Sequence, residues 1–290
     1  MQLPVKLGVS TWLWTSPFRT DDAANLFEKI ASLGYEVVEI AVEDPTLIDS
    51  EKIYKELKKN GLQAIVCGAF GPSRDLTSDD EDLQKNGLLY IEDCLNISND
   101  LSANFFAGPM YSAVGKARMV PDAQRRTEWN RAVDNLGKVC EMAATKGLEL
   151  ALEPLNRFES DLINNVDDVL RLIDELNHPA AKICLDMFHM NIEEPDPGLA
   201  IRKAGDKLLH VQVSENYRGT PGTGNASWGA FYEALLAINY KGAVSIESFT
   251  PENKELAGAV CIWRNLAEDQ DTFAREGHEF LKRWAANQLD

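Results

Sequence analysis

Eight short apolar runs, each separated from the next by a longer amphipathic segment, constrain this chain more than any other feature. The runs are KLGVSTW, EVVEIAV, QAIVCG, NFFAG, LELALEP, KICLDMF, LLHVQV and AVSIES. Short and apolar, they read as strands. Segments between them, such as DDAANLFEKIASLG and NNVDDVLRLIDEL, place apolar residues at helical spacing. Thr20 and Asp21 open one such segment and Gly34 closes it, and Thr145-Lys146-Gly147 closes the long fourth one. Strand–helix alternation implies a parallel sheet of the α/β class. Eight units in 290 residues is the size of a closed (β/α)8 barrel, so residues 1–290 are expected to form one domain. The competing open, doubly wound sheet usually carries a glycine-rich first turn, whereas here that turn reads STWLWTSPF.

Charge narrows the partners. Lys and Arg number 29 against 46 Asp and Glu, a net charge of −17. That balance argues against a nucleic acid or an anionic membrane as partner and is compatible with a site that attracts a cation. Five scattered cysteines without a CxxC pair read as buried thiols, not as a disulfide framework or a zinc knuckle. MQLPVKLGVSTWLW lacks a basic segment followed by a long apolar one, and no run approaches the ~18 apolar residues of a membrane span. Cytoplasmic residence is the expectation.

Active sites of such barrels are built at the carboxyl ends of the strands. The fifth run ends in Glu153, with Glu159 in the loop beyond; the sixth ends in Asp186, with His189 three residues on. The seventh carries His210, Gln212, Glu215 and Arg218, and the eighth ends in Glu247. Any one of these alone reads as a solvated loop residue or a structural hydrogen-bonding group. Together, on the tips of one barrel, they read as a site. Carboxylates gathered there would repel one another unless protonated or bridged by a cation, and carboxylate, amide and imidazole donors suit Mn²⁺, Mg²⁺ or Co²⁺.

ALEPLNRFE, LDMFHMNIEE, SENYRGTPGTG and the IES-F segment resemble, in this order, the ketohexose 3-epimerases (D-tagatose, D-allulose and L-ribulose 3-epimerases) of the xylose-isomerase-like TIM barrel superfamily. The resemblance implies that Glu153, Asp186 and Glu247 ligate a divalent metal, Mn²⁺ before Mg²⁺ or Co²⁺. It assigns Glu159, His189 and Arg218 to substrate hydroxyls and the carbonyl oxygen, and Trp14 and Phe249 to an apolar wall. It also implies a homodimer or homotetramer. The family's fourth ligand is the second histidine of an HxH, but this chain has His210-Val211-Gln212. Gln212 would therefore ligate through its neutral carbonyl oxygen.

The expected reaction is inversion of C3 of a free ketose through a cis-enediolate, with Glu153 and Glu247 exchanging a proton from opposite faces. The same site admits a dehydratase or a deglycosylase that eliminates from a keto sugar, an aldose–ketose isomerase, or a non-catalytic sugar-binding barrel that has lost a ligand. A DNA-repair nuclease would need a histidine-rich cluster and a basic groove, against four histidines here. Trp12 and Trp14, two apart, would point the same way on a strand, with Trp14 nearer the mouth. Tyr111 would add a lid contact. Arg218 with Lys254 is thin provision for a phosphate, so an unphosphorylated sugar is expected. The segment IWRNLAEDQDTFAREGHEFLKRWA would bury its apolar stripe against the barrel or a partner.

Overall fold

The computed structural model describes residues 2–288. All eight runs are strands: β1 Lys6–Ser10, β2 Val37–Val42, β3 Gln63–Gly68, β4 Phe105–Gly108, β5 Glu149–Leu152, β6 Ala181–Asp186, β7 Leu208–Val213 and β8 Ala243–Ile246. They pair in sequence order, all parallel, and β8 returns to β1 through Lys6↔Ala243 to Val9↔Ile246, closing a barrel. Around it lie α1 Ala23–Ser32, α2 Ser50–Asn60, α3 Glu81–Asp100, α4 Asp122–Thr145, α5 Val166–Leu176, α6 Met187–Glu193, α7 Pro197–Ala204, α8 Trp228–Ala237, α9 Lys254–Ala259 and α10 Gln270–Ala285. Among the described residues, no helix is long and apolar enough to cross a membrane.

The period-two pleat sorts the strand residues into two cores. Val38, Ile40, Val66, Leu150, Leu152, Ile183, Leu185, Val211, Val244 and Ile246 face the helices. Val37, Ala41, Ile65, Cys67, Phe105, Ala107, Ala151 and Cys184 fill the barrel. Because both faces are covered, most runs carry no polar alternation; β7 is the exception, with His210 and Gln212 pointing into the barrel. α4 ends at Thr145, with Gly147 at φ +68° beyond it, as its sequence predicts. Thr20 does not cap α1: it opens a 3₁₀ turn, and its hydroxyl bridges the Leu47 carbonyl and the Asp49 amide. The long carboxyl-terminal segment packs on its own barrel, with Phe273, Ala274, Leu281 and Trp284 of α10 buried in the outer core.

Candidate active site

Glu153 stands one residue past β5, where its amide donates to the Gly108 carbonyl at 3.3 Å. Asp186 ends β6 and caps α6, its Oδ1 accepting the Phe188 amide at 3.0 Å. The cap sets the helix phase that puts His189, three residues on, beside it. His189 Nε2 lies 3.6 Å from both Asp186 Oδ2 and Glu153 Oε1. Its Nδ1 accepts the Asn156 backbone amide at 3.0 Å, so the ring proton of a neutral His189 belongs on Nε2, facing those carboxylates. Burial holds the imidazole below its usual pKa despite the attraction of Asp186.

Arg218 arrives from the loop after β7. Glu215, fully buried, organises that loop by accepting from the Gly222 amide, the Ala226 amide and the Trp228 indole at 2.7, 3.0 and 2.7 Å. A Cβ at Gly224 would fall 2.6 Å from Glu215 Oε2, which is why the turn there needs glycine. Arg218 itself adopts a left-handed φ of +64°, and its carbonyl accepts from Ser248 Oγ at 2.8 Å. Its Nη1 lies 2.5 Å from Asp186 Oδ2 and 3.1 Å from Glu247 Oε2, and the guanidinium stacks 4.1 Å from the Phe188 ring centroid.

Glu153, Asp186, His189, Arg218 and Glu247 thus meet in one buried cluster at the mouth. Burial pushes the Glu153 carboxyl well up, and the charges of Glu247 and Asp186 push it further. Glu247 is also raised by burial, against the pull of Arg218. The ligating atoms of Glu153, Asp186 and His189 lie within 4.8 Å of one another. Crowded oxygen donors with one imidazole are a donor set that a hard divalent ion fits. Glu159, half-buried, accepts from Asn156 Nδ2 at 2.8 Å at the rim of this cluster.

Gln212 is buried inside the barrel. Its amide nitrogen, not its carbonyl oxygen, faces Glu247 Oε1 at 2.9 Å and Glu39 Oε1 at 2.8 Å, because two carboxylates can accept only from an N–H. Phe249 meets Trp12 as its aromatic neighbour. β1 ends at Ser10 and the chain turns into a 3₁₀ helix over Thr11–Leu13, where residues two apart diverge. Trp12, buried, packs on Phe249 with ring centroids 5.5 Å apart, while the Trp14 indole donates to Asp271 at 2.7 Å on the rim. Tyr111 is buried and donates to the Ile163 carbonyl at 3.1 Å, so it forms no lid.

Sequence reasoning missed Glu39, a wholly buried carboxylate in the middle of β2 that meets His210 Nε2 at 2.6 Å. The signal was the interior glutamate of EVVEIAV, two residues from Val37 and from Ala41 on the barrel-filling face.

The family model described as xylose isomerase-like TIM barrel matches residues 27–284. L-Ribulose 3-epimerase of Methylomonas sp. (strain DH-1) is 32% identical over 287 residues, 98% of this chain and 99% of that protein. D-Psicose 3-epimerase of Ruminiclostridium cellulolyticum is 32% identical over 92% of each chain. The crystal structure of D-allulose 3-epimerase from Methylomonas sp. in complex with D-allulose superposes with a TM-score of 0.90 at 31% identity, covering 98% of this chain and 99% of that one.

Proposed function

Because this chain belongs to the xylose isomerase-like TIM barrel family, we propose that it is a ketose 3-epimerase acting on an unphosphorylated sugar. The observation that carries this reading is the pair Glu153 and Glu247. Both are buried, and they come from β5 and β8, three strands apart in the ring. Relatives at about this identity include an L-ribulose 3-epimerase and a D-psicose 3-epimerase, which supports a sugar epimerase.

One glutamate takes the proton from C3, and the electron pair left behind passes to the adjacent carbonyl oxygen. The other returns a proton to C3 on the far face, and the centre is inverted. Arg218 and the Nε2–H of His189 supply donors for the substrate oxygens, and Glu159 accepts from a hydroxyl. Phe249, with Trp12 beside it, covers an apolar face of the sugar and keeps water from the carbanion. A divalent ion, Mn²⁺ before Mg²⁺ or Co²⁺, held by Glu153, Asp186 and Glu247, would polarise the carbonyl when bound. The assembly is a homodimer or homotetramer, which light scattering checks.

The test is turnover of a panel of free ketoses with Mn²⁺ in D₂O. Deuterium is expected at C3 of an epimer that otherwise keeps the substrate's mass. Glu153→Gln and Glu247→Gln should each lower kcat by about 10³-fold or more while leaving sugar binding measurable. No exchange into any ketose, or a product lighter by one water, would overturn the proposal.

A further inference from the structure

Glu39 is a carboxylate with no access to water, and it must be hydrogen-bonded to be tolerated. Its two oxygens are served separately: Oε2 meets His210 Nε2 at 2.6 Å, and Oε1 accepts from Gln212 Nε2 at 2.8 Å. The second hydrogen of the Gln212 amide goes to Glu247 Oε1 at 2.9 Å. On the other side of the amide, Gln212 Oε1 accepts the Cys184 thiol at 3.3 Å. Gln212 is itself fully buried, so its bonding capacity is decided by these partners alone. Turned over, the amide would set its carbonyl oxygen against two carboxylate oxygens and its N–H groups against a sulfur, a poor acceptor.

We infer that Gln212 is a positioning residue whose amide ties Glu247 to a Glu39–His210 anchor inside the barrel, and that it does not ligate the metal. This rests on the function proposed above only for the role of Glu247. The tie gives Glu247 one donor on each oxygen, Gln212 on Oε1 and Arg218 on Oε2 at 3.1 Å. A carboxylate held at both oxygens keeps one orientation toward a bound sugar, as groups behind a reactive residue commonly ensure. A histidine at this position has one N–H when neutral and could not serve both glutamates. Glutamine is the side chain whose fork can donate twice.

Two spectroscopic measurements decide it. In the metal-free protein labelled with ¹⁵N at glutamine side chains, one amide pair should exchange with solvent about a hundredfold more slowly than exposed glutamines. That pair should vanish in Gln212→Met and shift in Glu39→Gln. If Gln212→Met does not fold, Cys184→Ser, which alters the group donating to the carbonyl, should shift the same pair. In the Mn²⁺-loaded protein labelled with ¹³Cδ-glutamine, electron–nuclear double resonance should show no coupling of the size a directly bound carbonyl gives. Rapid exchange of the Gln212 amide, or a direct-ligand ¹³C coupling, overturns the inference. A protein that binds no Mn²⁺ but retains the protected pair sinks the metal-dependent function and leaves the tie standing.

Discussion

Glu153 and Glu247 carry a cost that is readable as pH dependence. Both carboxyls are raised by burial in the folded chain, Glu153 further by its acidic neighbours. A group whose folded pKa exceeds its unfolded one contributes its stability below the unfolded value and loses it as pH rises through the folded value. The metal-free protein should therefore weaken as pH climbs above the ordinary glutamate range of about 4.3. Glu153→Gln should raise its melting temperature at neutral pH, by ~3 °C for each kcal/mol relieved, and flatten that slope. Thermal scans in chelator from acid to neutral pH check this, and a lower melting temperature for Glu153→Gln would contradict it. At this scale the sequence was informative where a polar residue ended an apolar run, as Glu153, Asp186 and Glu247 do. Glu39 escaped because nothing in the local sequence says that a mid-strand glutamate will meet a histidine 171 positions away. Trp14 misled because β1 stops at Ser10 and the chain turns into a 3₁₀ helix before reaching it.

The loop after β7 is held by one buried side chain. Glu215 is the internal solvent for the amides of Gly222 and Ala226 and for the Trp228 indole, and Arg218 sits on the same turn, its amide bonded to the Glu215 carbonyl at 2.9 Å. Glu215→Ala leaves those donors unsatisfied, at ~1–3 kcal/mol each where they stay buried, so the segment should open instead. The expected outcome is cleavage between residues 216 and 227 by a dilute protease and a fall of roughly 100-fold in kcat/KM, with the barrel's circular dichroism intact. An uncut loop with full activity would show that Arg218 is held by other means. Composition did announce a loop here, since RGTPGTGN cannot continue a strand or a helix. It could not announce the carboxylate beneath, because Glu215 finds its partners only after the loop has folded back over it.

For the whole molecule, the net charge of −17 sets how ligands arrive. A neutral ketose feels no long-range field, so its kcat/KM should be flat from about 10 to 150 mM salt. A phosphorylated ketose should be the poorer substrate and improve as salt screens the repulsion; a free ketose that slows with salt would contradict the assignment of a neutral substrate. Fold class was legible from the alternation of runs alone, because each βα unit is local. Closure was legible from the count of eight units and the absence of a glycine-rich first turn, but the register of the seam, Lys6 with Ala243, was not, because those residues lie at opposite ends of the chain.

The seam of that ring lies where the first strand meets the end of the chain. The Leu3 amide donates to the Ala285 carbonyl at 2.9 Å, Tyr35 donates to the Ala274 carbonyl, and Trp284 of α10 donates to Trp228. On a ribosome, therefore, β1 is made first and finds its second neighbour last. For most of synthesis the nascent sheet displays two bare edges and an uncovered apolar face, the species that chaperones intercept and that aggregates when they do not. The rate at which usable protein accumulates in a cell should be governed by this late closing step, which the finished barrel conceals.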